Sequence, residues 1–269
     1  MTANLAEEIR RARVYDLEQP RHRGMPLHPS HQPGYFYALY RRHRDSYKPE
    51  TSGPRSSASG VLTMMEHSGT HIDALSHQSC GLELFGGVPT DQVETAAGFT
   101  KLGIETVAPL LGRGVLLDMA GWKGHSPLPT NYSISADELH SCARAQNVSL
   151  KPGDVLLVRT GFGALWSDES AYLQAAGISK SGTLWAAEHQ VVAVGADNMA
   201  WDVIGERDEE SGSTLFAHLH LLTQKGIYIM ENLNLEELAH DRCHEFAFIA
   251  IPLKFQGATG SPIRPLALA

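Results

Sequence analysis

From residue 61 onward, short apolar runs alternate with stretches of mixed polarity. The runs VLTMM (61–65), GVLLD (114–118), DVLLVRT (154–160), VVAVG (191–195), GIYIM (226–230) and EFAFIAI (245–251) are compact and largely aliphatic. VLTMM, short and partly β-branched, predicts a strand leading directly into EHSGTHIDALSH, and the last five, bounded by Gly, Asp or Pro, predict strands buried on both faces. Helix signals fall between them. Ser135 and Glu138 form a capping box ahead of LHSCARAQ, AYLQAAG ends at Gly177, and TLFAHLHLLTQKG ends at Gly226. Strands alternating with helices predict an α/β fold.

Residues 20–60 break this pattern. They are rich in Pro, Gly, His, Ser and Arg, carry the aromatic cluster Tyr35, Phe36, Tyr37 and Tyr40, and show no sustained helical or strand period. The expectation is a long, ordered N-terminal loop region whose aromatics either pack into the core or meet a substrate. Arg41, Arg42 and Arg44 read as a solvated basic face, or as contacts to an anionic substrate group. No repeat or linker divides the chain, so residues 1–269 are expected to form a single domain.

Composition narrows the partners. The 269 residues include 22 Lys and Arg against 30 Asp and Glu, a formal charge of −8, and that field repels phosphate backbones and anionic lipid. Nucleic acid and membrane partners are not expected. The charged opening MTANLAEEIRRARVYDLEQP lacks the apolar run of a signal peptide, and no stretch approaches the ~18 apolar residues of a membrane span. The three cysteines, Cys80, Cys142 and Cys243, are odd in number and lack CxxC spacing, so reduced thiols in a cytoplasmic protein are expected rather than disulfides. Cys80 is expected to line the site or the core.

The chemistry is concentrated in His67-Ser-Gly-Thr-His71-Ile-Asp73-Ala-Leu-Ser-His77. Two histidines four apart suggest the HExxH zincins, but Ser68 stands where that mechanism needs its Glu base. Gly69 and the β-branched Thr70 and Ile72 also disfavour a helix. In an extended chain, alternation sends His71 and Asp73 to one side, and a turn at Ser68-Gly69 folds His67 in beside them. Two imidazoles and a carboxylate then make a facial site for a divalent ion, with positions left for water and substrate. His77 either ligates that ion or stands free as a base.

HSGTHIDALSH resembles the HxGTHxDxxxH signature of the metal-dependent cyclase hydrolases, the family that contains bacterial kynurenine formamidases and isatin hydrolases. KPGDVLLVRTG, VGADNMAWD, HLHLL with GIYIMENLNL, and the closing GATGSPIRPLAL resemble further blocks of that family. The resemblance implies a swivelling β/β/α fold, a homodimer or larger assembly, and zinc or manganese in the site. It implies His67, His71 and Asp73 as metal ligands, His77 as the catalytic histidine, and His218 with Glu231 as the completion of a second metal site. His220, two residues on, is the alternative to His218, and Glu231 alternatively holds the substrate or its attacking water. Leu75 departs from the proline that formamidases typically carry two residues before the catalytic histidine, and the N-terminal region is longer than theirs.

The activity expected is hydrolysis of an amide, either a formamide or a cyclic amide, or of a lactone, with a small-molecule substrate and no cofactor beyond the metal. The alternatives are a non-haem iron oxygenase using the His71-Ile-Asp73 pair and a non-catalytic metal-binding protein. No Arg after the motif is followed two residues on by Ser or Thr, the pattern 2-oxoglutarate binding would need, and a silent scaffold leaves His77 without a role. Gly161-Phe-Gly163 lacks the third glycine of a dinucleotide fingerprint and reads as a strand-end turn. No GxSxG elbow or P-loop occurs.

Overall fold

The computed structural model describes residues 2–269. Eleven strands organise it: β1 Val14–Asp16, β2 Phe36–Arg41, β3 Ser59–Thr63, β4 His71–Asp73, β5 Leu110–Asp118, β6 Val155–Arg159, β7 Ala193–Ala196, β8 Tyr228–Glu231, β9 Glu245–Ala250, β10 Gly260–Pro262 and β11 Leu266–Leu268. Nine of them form one sheet in the order β1-β11-β9-β5-β6-β7-β8-β4-β10, while β2 and β3 stand apart as a hairpin. The strands β5, β6, β7 and β8 run parallel, and antiparallel strands close both flanks.

Alternation within the parallel strands feeds two cores. Val115, Leu117, Leu156, Val158, Val194 and Ile229 point to the face covered by the helices Ala136–Ala145 and Lys180–Glu188. Leu116, Val155, Leu157, Ala193, Met230 and Ile72 point to the other face, where Leu17, Ile104, Leu233, Leu238 and Phe248 cover them. Burial on both faces is what the uninterrupted apolar runs require. The Ser135–Glu138 capping box forms as expected: Glu138 N–H donates to Ser135 Oγ at 3.4 Å, and Ser135 N–H donates to Glu138 Oε2 at 2.9 Å.

Several expectations change. EFAFIAI becomes β9, but its exposure alternates, because this antiparallel strand lies beyond the helices that cover the parallel strands. AYLQAAG gives only the turn of helix Glu169–Tyr172, and Gly177 opens a short parallel pairing with Ser133–Ile134. The strand expected at 61–65 is displaced to Ser59–Thr63. The 20–60 stretch contains a tight turn at Pro29–His31, the strand β2 and two single-turn helices besides its loops. The aromatics of β2 lie on the surface rather than in the core, although Tyr35 does pack against it. Cys80 is exposed rather than lining core or site.

The turn after TLFAHLHLLTQKG falls at Gly226, in the left-handed region at φ 67°, but the segment before it, His218–Lys225, is wound as a π-helix. Asp197, buried at the end of β7, accepts from Thr160 N–H at 2.6 Å, from the Thr160 hydroxyl at 2.7 Å and from Gly161 N–H at 2.8 Å. It thereby fixes the strand-end turn after β6 and the start of the 198–202 loop that borders the histidine cluster.

Candidate metal centre

The cluster assembles where the short strand β4 is inserted between β8 and β10. His71 and Asp73 share one face of β4 while Ile72 enters the core behind, and the register sets Glu231 directly opposite His71. His67 reaches the same face because the chain reverses at Gly69, whose φ of 66° is left-handed. The reversal is tied down from three sides. Thr70 Oγ1 donates to Asn232 O at 2.6 Å and accepts from Gln19 N–H at 2.8 Å, and Asn232 Nδ2 donates to Gly69 O at 3.0 Å. Gly260, paired with Asp73, leaves the space the His67 ring occupies, since a Cβ there would lie 2.6 Å from His67 Cε1.

Three imidazoles are committed on their outer side. His71 Nδ1 donates to Gly69 O at 2.8 Å and His218 Nδ1 donates to Asp202 Oδ2 at 3.0 Å. His67 Nε2 donates to Thr259 Oγ1 at 2.8 Å, whose own proton goes to Glu66 Oε1. The inner nitrogens then carry lone pairs and face carboxylates. His71 Nε2 lies 3.5 Å from Asp73 Oδ1 and 3.4 Å from Glu231 Oε2. His218 Nε2 lies 3.1 Å from Glu231 Oε1 and 3.6 Å from Asp73 Oδ2, and His67 Nδ1 lies 2.8 Å from Asp73 Oδ1. A lone pair against a carboxylate oxygen repels unless a proton on the ring nitrogen or a metal ion sits between them, and a metal competes with that proton for the site.

Asp73 Oδ2 supplies the test of fit. It is fully buried and has no hydrogen-bond partner, a state that costs about 1–3 kcal/mol, and more for a charged group, unless a cation satisfies it. His67, Asp73 and His77 each offer a donor atom within 4.8 Å of the others, as do His71, Asp73 and Glu231. Asp73 belongs to both sets. Imidazole and carboxylate donors held by outer hydrogen bonds suit a divalent ion, and the near-3.5 Å spacings match ligands sharing an ion at roughly 2.0–2.2 Å from each.

The electrostatics agree. Burial penalises charged His71, yet Asp73 and Glu231 outweigh it and raise its pKa. Burial likewise opposes charge on His218, but Asp202 and Glu231 hold its pKa well above the ordinary value. Burial opposes charge on Asp73 too, but His77, His67 and His71 keep its pKa well below the usual carboxylate range. His77 differs. Burial, then the neighbouring His67, His218 and His71, push its pKa well down against the pull of Asp73, and no carboxylate hydrogen-bonds to it. Its ring stacks on His67 with centroids 3.9 Å apart and lies 6.0 Å from that of His218. His77 is a neutral imidazole at the mouth of the cluster.

A cavity of about 210 Å³ opens over these groups, and His28, His31, Gln78, Met199, Ala200 and Leu215 complete its wall. His31 stacks on His67 at 5.1 Å, and burial followed by His67, His71 and His28 brings its pKa down to about 4. The sequence-derived set of His67, His71, Asp73, His77, His218 and Glu231 is thus gathered in one place. His220 is not part of it: its Nδ1 meets Gln224 and its ring stacks on Phe216. Sequence reasoning missed His28, His31, Asp202, Thr259 and Glu66. The HPSHQP run was the only signal for the first two.

A family model described as "Putative cyclase" matches residues 15–203. The chain belongs to this cyclase family. It is 27% identical over 258 residues to kynurenine formamidase of Bordetella petrii, covering 94% of this chain and 97% of that protein. The crystal structure of a novel cyclase superimposes with a TM-score of 0.87 at 33% identity, over 99% of this chain and 90% of the other. An isatin hydrolase bound to the product analogue thioisatinate shares the fold, with a TM-score of 0.74 at 20% identity over 100% of this chain and 97% of that one. The α/β architecture expected from the sequence is therefore the cyclase fold.

Asp202 reaches this cyclase's cluster only through His218, while its other oxygen accepts from Ala217 N–H at 2.7 Å. Asp202→Asn keeps the shape and removes the charge. Metal affinity, measured by competition with a chromophoric chelator, should fall roughly 10- to 100-fold. Unchanged affinity would mean that Asp202 does not orient a ligand.

Proposed function

We propose that this cyclase is a metal-dependent hydrolase of a non-peptide carbon–nitrogen bond, acting on an N-formyl arylamine or a cyclic amide, with a lactone as the ester counterpart. The observation that carries the reading is the buried, unpartnered Asp73 Oδ2 facing imidazoles whose outer nitrogens are already committed. The kinship to kynurenine formamidase and the fold shared with isatin hydrolase support the same bond class.

His67, His71 and Asp73 would hold one divalent ion, zinc or manganese, and His218 with Glu231 would complete a second position sharing Asp73. Such an ion supplies Lewis-acid polarisation of the substrate carbonyl and lowers the pKa of water from 15.7 towards roughly 7. Asp202, Gly69 O and Thr259 keep the ligating imidazoles oriented. His77, neutral and free of carboxylate partners, accepts the proton from the attacking water and returns it to the leaving nitrogen. His28 and His31 narrow the mouth of the cavity and set the size of the substrate.

Among the described residues no helix is long and apolar enough to cross a membrane. A single 269-residue domain working in the cytoplasm as a homo-oligomer completes the proposal.

The test is a hydrolysis screen over N-formyl arylamines, cyclic amides and lactones, run anaerobically in heavy-oxygen water. Turnover should persist without dioxygen and place one heavy oxygen in the product acid. Strict dependence on dioxygen would instead favour the oxygenase alternative that the His71-Ile-Asp73 pair permits.

A further inference from the structure

His31 has so far only a steric part, yet its imidazole is held as a functional group is. The tight turn Pro29–His31 fixes its place: Pro29 stands at the first position, Ser30 N–H donates to His28 Nδ1 at 3.3 Å, and His31 N–H donates to His28 O at 2.9 Å. The locked φ of proline stiffens that turn. The half-buried ring stacks on His67 with centroids 5.1 Å apart and planes 29° apart, and its centroid lies 5.7 Å from that of His28 and 6.3 Å from that of His77. Among the described residues no protein group hydrogen-bonds to the His31 ring, which forms part of the cavity wall beside His77.

The spacing to His77 says what the ring can meet. Hydrogen bonds of about 2.9 Å from a nitrogen on each ring can converge on one substrate atom when the rings are 6.3 Å apart, and they reach it from divergent directions. A leaving nitrogen has that shape. In the tetrahedral adduct its lone pair faces the acid that will protonate it, and its N–H bond points elsewhere. Met199, Ala200 and Leu215 supply an apolar wall for the body of the same molecule.

We propose that His31 is a substrate-contacting residue that accepts a hydrogen bond from the N–H of the leaving nitrogen, so that the site selects secondary amides over N-alkylated amides and lactones. The inference rests on the hydrolase reading and sharpens its substrate class. Water adds to the carbonyl carbon as His77 takes its proton; the carbon–nitrogen bond then breaks, its electron pair stays on nitrogen, and His77 returns the proton to that pair. The N–H held by His31 does not react, but it turns the lone pair towards His77. A neutral imidazole has one acceptor nitrogen for this, and neither a lactone oxygen nor an N-methyl nitrogen has a hydrogen to give it.

The test measures kcat/KM at pH 8, where an imidazole of ordinary pKa near 6.5 is neutral, for formanilide against N-methylformanilide and isatin against N-methylisatin, with phthalide as a lactone. Wild type is compared with His31→Phe, which keeps a stacking ring without nitrogens, and with His31→Gln, whose amide oxygen can accept. Bound metal is measured in each protein, and circular dichroism confirms that each folds. Wild type should favour the N–H member of a pair. His31→Phe should lower that preference roughly 10-fold, the worth of one hydrogen bond, with phthalide and metal content unchanged, and His31→Gln should restore much of it. An unchanged preference in His31→Phe, an equal loss on all substrates, or a loss of metal would overturn the contact while leaving the hydrolase reading in place. Hydrolysis of phthalide alone would do the same. Hydrolysis of none of the five by metal-loaded wild type would overturn both.

Discussion

His71→Ala should abolish metal binding and hydrolysis together. His71 Nε2 faces both Asp73 and Glu231, so its loss removes the imidazole that links the two carboxylates. The drop in affinity should exceed the roughly 10- to 100-fold that outer hydrogen-bond partners such as Asp202 account for. The same geometry sets a pH dependence. Carboxylates hold the pKa values of His71 and His218 above the ordinary imidazole value, so the metal-free protein keeps protons on them to higher pH than free histidine would. Metal must displace those protons, and apparent affinity should fall as pH is lowered, with proton release on loading visible by calorimetry in buffers of different ionisation enthalpy. Metal analysis of His71→Ala decides the assignment: full metal content would remove His71 from the ligand set.

His77→Ala should retain metal and lose turnover. A neutral imidazole with no carboxylate partner is suited to proton transfer, and losing a general base costs roughly 10²- to 10⁴-fold in kcat. Because His77 has its pKa pushed well below the ordinary value, it is already deprotonated around neutrality, and the wild-type acid limb should lie below the usual histidine range near 6.5. The deficit of the variant should shrink at high pH, where hydroxide replaces the missing base. His77 also lies within ligand distance of His67 and Asp73, and that competing role makes a different forecast: metal content and activity would fall in parallel at every pH. An active variant with an unchanged profile would exclude both roles.

The parts of the centre that were legible in the sequence are those fixed by local geometry. Two-residue alternation places His71 and Asp73 together, and Gly69 permits the reversal that returns His67. His218 and Glu231 lie about 150 residues away and entered only through family resemblance. What selects His218 over His220 is tertiary: Asp202 and Glu231 take the ring of His218, while His220 turns towards Gln224 and Phe216. His28 and His31 escaped because the path of a loop depends on what it packs against, here the His67 ring. The strand at Phe36–Arg41 escaped for a related reason. Apolar residues on both of its faces erase the alternation that marks a half-buried strand, and all six residues of the strand are exposed. The parallel strands were legible because burial on both faces leaves an uninterrupted apolar run, whereas β9, lying beyond the covering helices, alternates.

The most direct measurement of the central claim is a metal back-titration. Protein stripped with a chelator is refilled stepwise with zinc or manganese, and hydrolysis of the best N-formyl arylamine or cyclic amide from the screen is followed against bound metal. Activity should be absent in the stripped protein, rise in proportion to metal bound and level off at one or two equivalents. Full hydrolysis by the stripped protein, or metal bound stoichiometrically without any hydrolysis across the screen, would contradict a metal-dependent hydrolase built on His67, His71 and Asp73.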